Sequence, residues 1–387
     1  MLTGFPNHPT GVVPQEYRSK IRRLVVRENV DGVRVIRSWL LPFANRKPHE
    51  RILNYTSFCV SAASTGLFAS RPDVVIATSP QLLVGLSGWW LARNKRVRFI
   101  FEVRDLWPES LAAVGVGTED SLLHRSLSKL ANFLYRCSDH VVVVSPAFEE
   151  HLVHHWRVPQ AKISVIENGV ETDIFSPRGA SDELRKELGV EGKFVVCYIG
   201  TMGMAHGLET VVDAAWQLEK SAPNVVFLLV GEGAEKARIM NLAHSRAVTN
   251  VRFIDQQPRD QVPAYIAASD VALVLLRKSS VFKTVIPTKM LECMSCARPV
   301  ILGVDGQARK ILDEAQAGIF IEPEDAMVLA NTVRALAANP ELCDLLGRNG
   351  RRYIVERFSR QRTAKAYISL LENLLPYKQR QLAGTKA

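Results

Sequence analysis

The chain has 387 residues, 47% of them hydrophobic and 23% charged, with a mean hydropathy of +0.01; these values exclude a disordered or fibrous protein and suit two globular domains of ordinary size. Its greasiest stretches, Ser57 to Phe68 and Gln81 to Ala92, are too short to span a bilayer and are broken by Ser, Thr or Gly. The formal net charge of +10 sits in residues 1–100, where 15 Lys/Arg face 5 Asp/Glu, so the remainder is neutral.

In chain order, Met1 to Gly11 is polar, Pro-containing and turn-like. It reads as a loop and not as a signal peptide, which places the expected location in the cytoplasm. From Asp73 onward, short β-branched runs alternate with longer amphipathic ones. DVVIAT is a strand, QLLVGLSGWWLAR a helix, VRFIFEV a strand, LHRSLSKLANFLYRC a helix and HVVVVS a strand; a helix from Pro146 and the strand KISVIEN follow. The segment from Asn168 to Glu191 interrupts this rhythm with Gly, Pro, Ser and charge, and marks a domain boundary. The alternation restarts with KFVVCYIG, a helix from Gly207 to Lys220, NVVFLLVG and a helix from Ala234 to Arg246. The strands NVRFID, VALVLL, RPVILG and GIFIEP come next, and a last helix begins at Arg360. Strands alternating with helices give parallel sheets with right-handed crossovers. Two such sheets in tandem imply a ligand cleft at their C-terminal strand edges.

Three segments carry chemistry. In GTMGMAHGLET, glycines at 200, 203 and 207 lie between a strand and a helix. There the backbone approaches a ligand closely and free N–H groups attract an anion, although a plain turn remains an alternative. In VIPTKMLECMSCARPVIL, Pro287 and Thr288 open a helix on which Lys289 and Glu292 share a face. Lys289 suits a phosphate and Glu292 a ribose diol; a simple surface pair is the alternative. In FEVRDLWPES, Arg104 and Asp105 follow a strand end in a loop stiffened by Trp107 and Pro108.

Other signals are weaker. His151, His154 and His155 suggest a metal, but no carboxylate or thiol partner is evident nearby, so no metal site is assigned. No Asp-x-Asp and no Gly-x-Ser-x-Gly occurs, which argues against a metal-clamped diphosphate and against a serine hydrolase. The six cysteines, including Cys293 and Cys296 in a helix-like run, read as reduced core thiols. The basic N-terminal quarter suits an anionic membrane surface or a pyrophosphate-bearing acceptor, or is merely a soluble face; no nucleic-acid signature accompanies it.

Taken together, NGVETDIFSP, YIGTMGMAHGLETVVDAA, LLVGEG, FIDQQPRDQVPAYIAASDVALVLL and PTKMLECMSCARPVI follow the order seen in glycosyltransferase family 4, which the chain resembles nearly end to end. LTGFPNHPTG and EVRDLWPES look like its colanic-acid and O-antigen assembly subgroup, which includes L-fucosamine transferases. The resemblance implies a GT-B fold: α/β, with two Rossmann-like domains whose parallel sheets face each other across a cleft. Compared with that pattern, the first βα unit of the N-terminal domain is missing, as in an N-terminally truncated chain. Residues 1–170 would form the acceptor-side domain and residues 171–359 the nucleotide-sugar domain, with a helix over 360–376 packing back on the first.

The implied activity is hexosyl transfer with retained configuration and without metal or other cofactor. The donor would be a UDP- or GDP-linked sugar, of fucosamine or N-acetylhexosamine type, and the acceptor lipid-linked, on the inner face of the plasma membrane. Donor contacts fall on Gly200, Thr201, Gly203, His206, Gly207, Pro287, Thr288, Lys289 and Glu292, and reacting-sugar contacts on Arg104 and Asp105. Glu292 matches the second acid of the family's paired-glutamate motif, whose first position is Thr284 here. Thr201 and His206 occupy the places of the family's two diphosphate-clamping cations, leaving Lys289, with Arg277 or Lys283, as the replacement. A nucleotide-sugar 2-epimerase of the same architecture and a catalytically weak scaffold for polysaccharide assembly are the competing readings.

Overall fold

The computed structural model describes residues 1–7, 11–43, 48–113, 121–179 and 181–375. The chain divides into two compact units. The first comprises Met1–Val144, Phe148–Val165 and the described residues from Glu372; the second comprises Ser145–Ala147 and Ile166–Leu371.

Among the described residues the first unit holds two sheets. Strands β1 (Leu2–Gly4), β2 (Val25–Val30) and β3 (Val33–Ser38) pair in the order β1-β3-β2, with β1 parallel and β2 antiparallel to β3. The opening segment is therefore not all loop, since Leu2–Gly4 pairs with Ile36, Arg37 and Ser38. Three residues are too few to show a period in sequence, and residues 8–10 of the same segment lie outside the described residues. Asp31 and Gly32 join β2 to β3 with φ of 49° and 80°, the positive pair that a two-residue hairpin of matching twist requires.

The second sheet of this unit is fully parallel. Strands β4 (Val74–Thr78), β5 (Arg98–Val103), β6 (His140–Val143) and β7 (Ile163–Val165) pair in chain order. Helices Leu82–Lys95 and Leu122–Cys137 connect them, and the segments after β5 and β6 emerge at one edge because the two strands are neighbours running the same way. A 20-residue helix, Pro48–Leu67, precedes β4.

The second unit is one six-stranded parallel sheet. Its strands are β8 (Phe194–Ile199), β9 (Val225–Val230), β10 (Val251–Ile254), β11 (Val271–Leu275), β12 (Val300–Gly303) and β13 (Gly318–Phe320), in the order β10-β9-β8-β11-β12-β13. This is the doubly wound order with a switch point between β8 and β11, where such sheets open a ligand crevice beyond the strand ends. Both faces are covered, which explains the unbroken apolar runs. Val196 and Tyr198 pack with helices Glu209–Ser221 and Ala326–Ala337, while Val195 and Cys197 face the opposite side beside Leu188 and Val190.

Every strand read from Asp73 onward is present within three residues at each end, KISVIEN and GIFIEP each stopping three residues early at Val165 and Phe320, and the final helix runs Arg360–Leu374. Residue 376, the expected end of that helix, lies outside the described residues. Cys197, Cys293, Cys296 and Cys343 are buried free thiols, but Cys137 is exposed and Cys59 half-buried, so those two are not core residues. Among the described residues no helix is long and apolar enough to cross a membrane.

Candidate functional site

In the second unit, β8 ends at Ile199 and the chain turns at Gly200 with φ of 144°. The Gly200 N–H donates to Val230 O at 3.0 Å, and Met202 N–H donates to Glu232 O at 2.8 Å. The turn thus interlocks with residues 231–233 after β9. A Cβ on Gly231 would stand 2.0 Å from Gly200 O, and one on Gly233 2.3 Å from Met202 O; only glycine permits that approach. Met204–His206 forms one 3₁₀ turn, closed by Gly207 at φ 57°. Helix Glu209–Ser221 follows with no side-chain cap at its start; the Thr210 and Val211 N–H groups of its first turn donate to Gly207 O and Leu208 O, each at 3.1 Å.

Lys289 reaches this turn from the first turn of helix Thr288–Ser295, whose N-cap Pro287 also offers no side-chain bond. Its Nζ donates to Tyr198 Oη at 2.8 Å and lies 4.2 Å from the centre of that ring. The same nitrogen stands 3.1 Å from where a Gly200 Cβ would be, so a side chain at this position would crowd the amine. Tyr198 is fully buried and donates its own proton to Thr201 O at 2.6 Å. Burial pushes the Lys289 amine down to about 7, its nearness to Glu292 and Cys293 offsetting only part of that. His206 packs edge-on to Tyr198, and its Nδ1 lies 3.3 Å from both N and O of Gly203. Burial first, and Lys289 second, push His206 down to about 3, so it is neutral at physiological pH.

The structure therefore brings Gly200, Thr201, Gly203, His206, Gly207 and Lys289 together. Two proposed helpers are engaged elsewhere. Arg277 donates to Met204 O at 2.6 Å and forms ion pairs with Glu209 and Glu324, bracing the turn from outside. Lys283, half exposed, pairs with Asp305 at 2.9 Å. Glu292 accepts from Arg259 at 3.0 Å; the same guanidinium binds Glu171 at 2.9 Å and covers the Phe175 ring. Burial raises the Glu292 carboxyl, against the pull of Arg259.

In the first unit, Arg104 and Asp105 follow β5. Their loop is anchored by Ser79, whose Oγ accepts from Arg104 N–H at 2.9 Å and Asp105 N–H at 3.4 Å. Burial lifts the Asp105 carboxyl to about 6, against the opposing charge of Arg104. Four residues on, Glu109 corrects the sequence reading of the histidines. His151 Nε2 lies 3.0 Å, and His155 Nε2 4.0 Å, from Glu109 Oε1. A carboxylate partner exists, brought in by the adjacency of β5 and β6. His154 stays exposed outside this group.

Comparison with known proteins fits this arrangement. The family profile "Glycosyl transferase 4-like domain" matches residues 9–169 and "Glycosyl transferases group 1" matches residues 180–353. The chain belongs to the GT-B glycosyltransferases. Among relatives of this glycosyltransferase, the probable glycosyltransferase WbjE of Pseudomonas aeruginosa is 26% identical, over 72% of this chain and 68% of the relative. The putative colanic acid biosynthesis glycosyl transferase WcaI of Escherichia coli is also 26% identical, over 76% and 73%. Among solved structures, sucrose-phosphate synthase from Thermosynechococcus elongatus superposes with a TM-score of 0.74 at 21% identity, covering 96% and 98% of the two chains. Anabaena Alr3699/HepE, in complex with UDP and glucose, gives 0.68 at 19%, covering 89% and 87%.

Besides Glu109, sequence reasoning missed Tyr198 and Arg259 in this glycosyltransferase. Tyr198 reads as one more apolar strand residue, and no local signal marks its hydroxyl as the seat of Lys289. Arg259 is 33 residues from Glu292 and 88 from Glu171, so nothing local announces the triad. The second glycine turn, Gly231 to Gly233, was visible in LLVGEG, but its part in supporting the first turn emerges only from the backbone contacts.

Proposed function

We propose that the chain moves a hexose of fucosamine or N-acetylhexosamine type from a UDP- or GDP-linked donor, with retained configuration, to a lipid-linked saccharide during surface polysaccharide assembly. One observation carries the donor reading: the Lys289 amine lies buried against the glycine turn at the switch point of the second unit. Backbone N–H groups of residues 203–207 and the start of helix Thr288–Ser295 add positive potential to the same crevice. Negative charge develops on the departing diphosphate, and fixed donors aimed at it lower the barrier without reorganising. Alr3699/HepE, of the same fold, binds UDP, which favours UDP as the first nucleotide to try.

Lys289 stabilises the leaving group, and the departing oxygen takes the acceptor's proton on the same face, so no metal and no separate protein base is invoked. Glu292, steadied by Arg259, is assigned to the ribose. Arg104 and Asp105 are assigned to the reacting sugar. Membrane attachment is supported by the basic N-terminal quarter and by side chains on and just after helix Pro48–Leu67: Ile52, Leu53, Val60, Leu67 and Phe68 are all exposed.

The test is a thermal-shift and turnover screen against UDP, GDP and their sugars, with Lys289→Met alongside. Stabilisation by one nucleotide in the wild type, lost in the variant, supports the assignment. Stabilisation that survives in Lys289→Met overturns it. Epimerised donor without acceptor would replace transfer with epimerisation, and no nucleotide binding at all would leave only a scaffold.

A further inference from the structure

The loop after β5 and the helix after β6 share a second arrangement that sugar transfer does not use. His151 and His155 are one helical turn apart, and His155 N–H still donates to His151 O at 2.8 Å, so the turn extends through both. Their rings lie parallel within 16°, with centroids 5.0 Å apart. Glu109 opens the short helix Glu109–Ala113 and points its carboxylate at both imidazoles. One donor atom from each of the three lies within 4.8 Å of the others.

The distances suit a common ion. A tetrahedral zinc with nitrogen and oxygen ligands at about 2.0–2.2 Å spaces its donors roughly 3.3–3.5 Å apart. The observed separations of 3.0 and 4.0 Å bracket that spacing. Glu109 Oε1 also accepts from Trp156 Nε1 at 3.1 Å, an outer contact of the kind that orients a ligating carboxylate. Its other oxygen, Oε2, is buried and has no hydrogen-bond partner. A plain Glu109–His151 hydrogen bond gives His155 no role. A cation shared by the three residues gives His155 one. His155, with 61% of its side chain exposed, gives the ion a path from solvent.

We propose that Glu109, His151 and His155 bind one divalent cation of the zinc class, with water in the fourth position, and that the ion fastens the loop carrying Arg104 and Asp105 to helix Pro146–His154. Two imidazoles and one carboxylate select zinc-like ions over magnesium or calcium, which prefer all-oxygen sites. The site belongs to the first unit and leaves the diphosphate chemistry of the second metal-free.

The test uses the full chain, stripped with a chelator and titrated with Zn²⁺ by calorimetry and with Co²⁺ by visible absorption. Expected are one ion per chain and the intense d–d bands of a tetrahedral cobalt centre. His155→Ala should weaken Zn²⁺ binding at least roughly tenfold and abolish those bands. Because His155 is largely exposed, the variant should keep the wild-type circular dichroism. Glu109→Gln should weaken binding likewise, and His154→Ala, an exposed neighbour outside the cluster, should bind like wild type. Absence of a stoichiometric site overturns the proposal, as does an equal effect of His154→Ala and His155→Ala.

Discussion

Raising the pH from 6 to 8 should weaken donor-sugar binding while leaving the fold intact, because the ammonium that would meet the diphosphate titrates inside that window. Burial holds the Lys289 amine down to about 7. His206, at about 3, stays neutral throughout and does not contribute. If only the ammonium form binds, the affinity follows its fraction, which is about nine-tenths at pH 6 and about one-tenth at pH 8. The expected loss is about tenfold, or about 1.4 kcal/mol. A nucleotide sugar is the proper ligand, since its substituted diphosphate does not titrate there, whereas the terminal phosphate of a free nucleotide does. Stability should move the opposite way. The folded pKa is depressed from 10.5, so between about 7 and 10 the unfolded chain holds the extra proton, and this group's contribution makes the fold more stable as pH rises. Calorimetric titration across pH, in wild type and Lys289→Met, measures the first effect. A flat wild-type profile, or the same slope in the variant, refutes the assignment of the ammonium to the diphosphate.

Three further outcomes are expected. Gly231→Ala should destabilise the second unit by on the order of 2–4 kcal/mol, because the new Cβ meets Gly200 O at 2.0 Å and φ is 148°. Gly189→Ala, at φ 65° with nothing within 4 Å, should cost only about 1 kcal/mol of backbone strain; calorimetric melting separates the two. Transfer should fall as pH drops through about 6 if the Asp105 carboxylate contacts the sugar, and Asp105→Asn should be slow but lack that acid limb in a pH–rate profile. Leu53→Ser with Phe68→Ser, both at exposed positions, should reduce co-sedimentation with anionic vesicles without shifting the melting temperature, and unchanged sedimentation would remove the membrane reading.

The sheet strands from Asp73 onward were legible because buried parallel strands are short apolar runs set off by glycine and charge. The hairpin Val25–Val30 with Val33–Ser38 had an equally plain signal, the Asp31–Gly32 pair, which went unread among so many charged residues. Helices Ala326–Ala337 and Pro340–Arg357 are likewise absent from the sequence reading, although Asp325 and Asn339 stand at their caps and accept from Val328 and Leu342 N–H.

The site was legible in part. Glycine spacing exposes a close backbone approach, and a lysine at a helix start suggests an anion, so the turn and Lys289 were found as separate fragments. Their meeting through Tyr198 depends on β8 and the helix after Thr284 being neighbours in space, 91 residues apart in the chain. Glu109 was hidden for the same reason. A histidine pair one turn apart is visible along a helix, whereas its carboxylate arrives from the segment that follows the neighbouring strand, 42 residues earlier.

A crystal structure of the chain with a bound UDP- or GDP-sugar tests the central claim most directly. The account places a diphosphate oxygen within hydrogen-bond reach of Lys289 Nζ, with backbone N–H groups of residues 203–207 on the other side. A diphosphate bound elsewhere, with Lys289 still donating only to Tyr198 Oη, would contradict it.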